Sequence, residues 1–188
     1  MEKKSKNILL KNFYKNKKVL VTGANGFKGL WLSMVLKTFG SDIYGIGIDK
    51  GNYFLSKYIN LKKNIKFKEI NINDARRLQQ YILKINPDII FHLASESLVS
   101  DCNNFPKKAI QTNILGLVNL FEIYRESHLK KKIQINIITS DKCYLPQNKK
   151  KYSENDRLGG ADVYSASKSC QEIVTKSYYE SFSKKKIL

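Results

Sequence analysis

Lys18-Val19-Leu20-Val21-Thr22-Gly23-Ala24-Asn25-Gly26-Phe27-Lys28-Gly29 is the stretch whose reading decides the fold. Its first residues hold three successive apolar side chains, the pattern of a short strand covered on both faces. Glycine then recurs at 23, 26 and 29, and Leu30–Phe39 follows with helical periodicity, closed by Gly40. A strand that runs directly into a helix needs a tight turn, and glycine permits both the turn and a close approach of another group to the backbone. The unpaired N–H groups and the dipole at the helix start attract an anion, so such a turn suits a phosphate. Three glycines in an ordinary turn would look the same without a second feature. Asp49, closing the next apolar run Ile43–Ile48, supplies one, because a carboxylate there accepts hydrogen bonds from an adenosine ribose. It also repels a 2′-phosphate. Together the two features point to a dinucleotide site that favours NAD over NADP.

Working outward, further strands are predicted at Ile65–Ile70, Asp88–Ala94 and Ile133–Thr139. Helices are predicted at Asp74–Ile85, capped by Asn73 or Asp74 and ending before Pro87, at Lys107–Arg125, and from about Ala161 to Ser183. Asn60–Asn64 reads as a loop. Strands alternating with helices imply parallel βαβ units, hence an α/β, Rossmann-type doubly wound sheet. Residues 1–16 read as a basic leader and 17–188 as one domain.

The composition narrows the class. The chain of 188 residues is 42% hydrophobic and 27% charged, the profile of a globular protein rather than a disordered one. Its three cysteines, Cys102, Cys143 and Cys170, cannot all pair and show no metal-ligand spacing, so neither a disulfide scaffold nor a metal site is expected. No apolar run is long enough to span a membrane, and Ile8–Leu10 is too short for the core of a secretory signal. A cytoplasmic location is expected. The net charge of +18 comes from scattered lysine runs at 130–132, 149–151 and 184–186 without a nucleic-acid-binding motif. Such charge reads as solvated surface, and a nucleic-acid partner is not expected.

Tyr164-Ser165-Ala166-Ser167-Lys168 sets a tyrosine and a lysine four apart, on one face of the last helix. A phenol is a poor base at neutral pH, but a neighbouring ammonium favours its ionised form and makes proton abstraction from a hydroxyl feasible. Ser140, Asp141 and Lys142 stand just past the fifth predicted strand, where α/β sheets hold their ligands. Ser140 can hydrogen-bond a reacting hydroxyl, while Asp141 and Lys142 offer an acid and a base side by side. Either set alone would also suit a solvated surface.

The Gly-x-x-Gly-x-x-Gly spacing resembles that of the extended short-chain dehydrogenase/reductase family, in its sugar-nucleotide-modifying branch. Phe91-His92-Leu93-Ala94-Ser95-Glu96 is similar to the strand that passes beneath the cofactor in that branch, and Thr112-Asn113-Ile114-Leu115-Gly116 to its Thr-Asn-x-x-Gly helix. Asn71-Ile72-Asn73-Asp74 matches the adenine-side segment, with Asn71 where aspartate is usual. The resemblance implies cofactor contacts at Gly23, Asn25, Gly26, Phe27, Gly29, Asp49, Asn71, Ile72, Leu93, Ala94, Thr112, Tyr164 and Lys168, and catalytic roles for Ser140, Asp141, Lys142, Tyr164 and Lys168. His92 is expected to be packed rather than catalytic. Gly26-Phe27-Lys28-Gly29 with Trp31-Leu32, Ser140-Asp141-Lys142-Cys143-Tyr144, and Glu154-Asn155-Asp156-x-Leu158-Gly159-Gly160 most resemble the CDP-glucose 4,6-dehydratases. Lys142 is discriminating, since the related dTDP-glucose enzymes have Asp-Glu at 141 and 142. Val163 departs from the proline usual before the tyrosine.

That resemblance implies a lyase acting on CDP-glucose or a related nucleotide sugar, with NAD recycled internally and no metal. It spans about Lys17 to Phe182 and implies a following lobe that grips the sugar. The expectation is therefore a fragment or half of an enzyme with impaired activity, with a complementing C-terminal half as a partner. A homodimer through the helices Lys107–Arg125 and Tyr164–Ser183 is also implied. A catalytically silent NAD-binding module, another nucleotide-sugar epimerase or dehydratase, and a basic nucleic-acid binder remain the alternatives.

Overall fold

The computed structural model describes residues 2–48, 61–127, 132–147 and 151–182. Asp49, Ser183 and the lysines at 130, 131, 149, 150 and 184–186 lie outside them. The strands are β1 (Lys18–Thr22), β2 (Asp42–Gly47), β3 (Lys66–Glu69), β4 (Ile89–His92) and β5 (Gln134–Ile137), in the sheet order β3-β2-β1-β4-β5. The pairs β1/β2, β1/β4 and β2/β3 are parallel, with Val19 opposite Ile43 on one side and Ile89 on the other. The strand order reverses between β1 and β4, which makes the carboxyl ends of these two strands the natural ligand crevice of a Rossmann-type sheet. Val19, Leu20 and Val21 have no exposed surface, so β1 is covered on both faces as its unbroken apolar run requires. At the edge, β3 carries Lys66 and Lys68, charges that discourage pairing with another chain.

The chain divides into two compact units, Met1–Ala94 with Leu129–Asn136, and Ser95–His128 with Ile137–Leu188. The first unit takes in the N-terminal segment together with the sheet. Helix α1 (Glu2–Tyr14) ends in a tyrosine whose ring stacks on Phe39 at 6.2 Å and meets Phe91 at 6.4 Å. Beneath it Val19, Val21, Ala24, Leu30, Leu36, Ile43, Ile65 and Ile89 form the core of the first unit. Burying each large aliphatic side chain there contributes about 1.5–3 kcal/mol.

Helix α2 (Phe27–Thr38) stops where expected, at Gly40 with φ +82°. A short helix α3 (Leu61–Asn64) replaces the expected loop at 60–64, with Asn60 itself outside the described residues. Helix α4 (Ala75–Ile85) is capped by Asp74, whose carboxylate accepts from the Arg77 N–H at 3.0 Å. It buries Leu78, Tyr81, Ile82 and Ile85, one helical face, and ends at Asn86 in the left-handed region before Pro87.

The second unit contains α5 (Val99–Asn104), which was not anticipated, then α6 (Pro106–Ile110), a π turn (Gln111–Leu115) and α7 (Gly116–Glu126). The predicted helix Lys107–Arg125 is thus interrupted by a π turn, because Gly116 N–H bonds to the Gln111 carbonyl five residues back. A 3-10 turn (Asp141–Cys143) follows β5, and α8 (Val163–Phe182) completes the unit. No helix among the described residues is long and apolar enough to cross a membrane.

Candidate active site

In the first unit the glycine turn is shaped by what it excludes. Gly23 has φ +68°, and a Cβ on it would lie 2.9 Å from the Ala94 nitrogen. A Cβ on Gly29 would lie 2.2 Å from the Gly23 carbonyl oxygen, so the start of α2 packs directly on the turn. Gly26 caps α2 without a side-chain hydrogen bond, and the first turn has no acidic residue. The helix start therefore keeps its positive end for a ligand, which is the donor set a pyrophosphate needs. Phe27, at that helix start, has an exposed ring. Asn25 donates from Nδ2 to the Ile48 carbonyl at 2.8 Å, tying the turn to the end of β2. Asn25 is thus engaged in shaping the site.

Leu93 and Ala94 are held at the end of β4 by Thr22. Its Oγ1 accepts from the Leu93 N–H at 3.2 Å and the Ala94 N–H at 3.0 Å. The same hydroxyl shares a hydrogen bond with His92 Nδ1 at 2.9 Å. His92 is 1% exposed, so it is packed, as expected. Ile72 is buried, and Asn71 Oδ1 accepts from the Asn73 N–H at 2.9 Å, forming a local turn at the end of β3.

In the second unit α8 carries Tyr164 and Lys168 on one face. Lys168 is 3% exposed, with Nζ 5.9 Å from the centroid of the Tyr164 ring. It donates to the Ile138 carbonyl at 3.3 Å, on the segment that leads into Ser140. The turn bearing Ser140, Asp141 and Lys142 is fixed to α8 a second time, since Ser169 Oγ lies 2.6 Å from the Cys143 carbonyl oxygen and 2.9 Å from that of Gly159. Ser140 Oγ donates to Asp141 Oδ1 at 3.1 Å and accepts from the Lys142 N–H at 3.3 Å. Thr112 lies in the π turn, half-buried. Burial pushes the Cys143 thiol up, which keeps it protonated and unreactive beside the site.

One contributor escaped the sequence reading. Asp162 heads α8, accepting from the Ser165 N–H at 2.9 Å and its hydroxyl at 2.7 Å; these bonds, and to a lesser extent the charge of Lys142, hold its carboxyl below the usual range. An aspartate three residues before a serine at a helix start was the available signal. Gly160 passes so close to the helix that a Cβ would lie 2.3 Å from the Ala166 nitrogen. Among the described residues no cluster of histidine, cysteine or carboxylate side chains could hold a metal.

The sequence pattern of the GDP-mannose 4,6 dehydratase family matches residues 20–187, from the first strand through the whole of α8. The chain belongs to that family. A curated relative from Salmonella typhimurium, CDP-glucose 4,6-dehydratase, is 36% identical over 92% of this chain and 48% of its own length. Among solved structures, UDP-N-acetylglucosamine 4-epimerase from Methanobrevibacter ruminantium superposes with a TM-score of 0.77 at 24% identity, over 90% of this chain and 52% of that one. UDP-glucose-4-epimerase from Stenotrophomonas maltophila, with bound NAD, gives 0.77 at 18% identity, over 88% and 49%. The last two share the fold of this family member. The chain spans about half the length of these relatives.

Proposed function

We propose that the chain holds the NAD site and the catalytic residues of a nucleotide-sugar 4,6-dehydratase, with CDP-glucose as substrate. The observation that carries the reading is the buried Lys168 beside Tyr164 on α8, with the Ser140-Asp141-Lys142 turn bonded to the same helix. The glycine turn fits a pyrophosphate because it leaves no room for a Cβ at 23 or 29 and leaves the start of α2 without a capping side chain. Gly23, Gly26, Gly29, Leu93 and Ala94 would hold the dinucleotide, with Asn71 and Ile72 at the adenine, Asp49 on the ribose, and Thr112, Tyr164 and Lys168 at the nicotinamide half. NAD, when bound, supplies the acceptor for the hydride leaving sugar C4 and the donor of the hydride that later reaches C6.

The residues do the rest. Ser140 orients the C4 hydroxyl and Tyr164 takes its proton as the C4 hydride departs, which leaves a ketone at C4. The ketone acidifies the neighbouring C5–H, and Lys142 removes that proton while Asp141 protonates the departing C6 hydroxyl, so water leaves. With C6 reduced and C5 reprotonated, the sugar is a 4-keto-6-deoxyglucose and NAD is regenerated. An epimerase needs only the C4 step. The adjacent Asp141 and Lys142 are what dehydration requires in addition, and their identity favours this reading over epimerisation.

Calorimetric titration with NAD, followed by incubation with CDP-glucose and an assay for a 4-keto sugar, tests it. NAD binding with at least slow ketosugar formation is the expected result. An NAD complex that leaves CDP-glucose unchanged would assign the chain to cofactor binding alone.

A further inference from the structure

A buried ammonium needs oxygen partners, and for Lys168 two are the Ile138 carbonyl and Gln171 Oε1, the latter at 2.9 Å. Gln171 lies three residues further along α8, on the same face, and is 1% exposed. Its other end donates from Nε2 to the main-chain carbonyl of Asn113 at 2.7 Å. That carbonyl belongs to the π turn, where the widened helix breaks the four-residue ladder and calls for other donors. Asn113 is locked by its own side chain. Oδ1 accepts from Ser95 Oγ at 2.9 Å and Glu96 N–H at 2.8 Å, and Nδ2 donates to the Glu96 carbonyl at 3.1 Å and Ser167 Oγ at 2.9 Å. With a carbonyl at one end and an ammonium at the other, the Gln171 amide has a single satisfactory orientation.

We propose that Gln171 is a positioning residue that links the π-turn carbonyl of Asn113 to Lys168 and holds the ammonium beneath the Tyr164 ring. The proposal rests on Tyr164 and Lys168 being the reactive pair. Other charged and titratable groups of this unit are arranged around them. Asp162 feels Lys142; Glu172, which accepts from the Thr139 hydroxyl, and Asp141 face the Cys143 thiol; Glu96, paired with Lys108 at 3.2 Å, Asp101, Asp162 and Lys168 act on Cys102.

The test is NMR of the Gln171 side-chain amide and of the Lys168 ammonium. In the unsubstituted protein the Gln171 amide protons should exchange slowly with solvent, and their resonances should shift in Lys168→Met. In Gln171→Met, close in volume, the Lys168 ammonium protons should exchange faster than in the unsubstituted protein, because the ammonium loses an anchor. Rapid exchange of the Gln171 amide, resonances unmoved in Lys168→Met, or ammonium exchange unchanged in folded Gln171→Met overturns the proposal. Should Gln171→Met fail to fold, the unsubstituted protein and Lys168→Met decide. NAD calorimetry on the same samples is separate, since failure of the unsubstituted chain to bind NAD removes the functional reading while the amide measurements still judge the positioning role.

Discussion

At Gly29 a Cβ would stand 2.2 Å from a carbonyl oxygen, a distance that only movement of the turn could relieve. Gly29→Ala should therefore lower stability by about 1–3 kcal/mol, as overpacking does, and abolish calorimetric NAD binding because the cradle opens. Retained binding with an unchanged melting temperature would show that the turn is not the cradle. The proposed catalytic residues separate in a different measurement. In single turnover, Lys142→Ala should still oxidise C4 and then stall, so that reduced cofactor builds up, whereas Tyr164→Phe should produce none. Both variants stalling at one step would contradict the separate roles. These residues were legible because a glycine triplet after a strand and a Tyr-Lys pair four apart are local patterns. Gln171 and Asn113 were not legible as a pair, because only the tertiary packing brings residues so distant in sequence within 2.7 Å.

At the scale of elements, α7 and α8 are clasped by Tyr178, which donates to Glu122 Oε1 at 2.6 Å and stacks on Phe121 at 5.0 Å. Arg125 Nε also donates to Glu122 Oε2, at 3.0 Å. The hydrogen bonds from Arg125 and then Tyr178 hold the Glu122 carboxyl below its ordinary 4.5, so its contribution to stability is present above that pH and fades as the solution is acidified below it. Burial, then the bond to Glu122, pushes the Tyr178 phenol up to about 12. Its contribution is full below the unfolded phenol value near pH 10 and is lost between about 10 and 12. The stability gap between the protein and Tyr178→Phe in urea unfolding should thus stay level from neutral pH to about 9 and close above 10. A gap independent of pH throughout would mean that the phenol proton plays no part. The helices themselves were legible from their 3.6-residue period, but the π turn within Gln111–Leu115 was not, since nothing in periodicity marks a bond to the fifth residue back.

On the scale of the whole molecule, the parallel sheet was legible because β1 is an unbroken apolar run between helices, and its burial on both faces follows. The role of the N-terminus was hidden by its lysines. Tyr14, the residue that docks α1 on the core, looks like any other aromatic in a basic segment. Tyr14→Ala should cost about 1–2 kcal/mol, less than a fully buried aromatic because the ring is only half-buried, and the urea midpoint measures it. The division into two compact units was equally hidden, as chain order alternates strand and helix across both. The central claim, an internal redox cycle that dehydrates the sugar, is tested most directly with CDP-glucose carrying deuterium at C4. If the account holds, the protein loaded with NAD releases a 4-keto-6-deoxy sugar with the deuterium at C6 and no net reduced cofactor. Deuterium returned to C4 of an epimer, or labelled substrate recovered unchanged from the NAD complex, would contradict it.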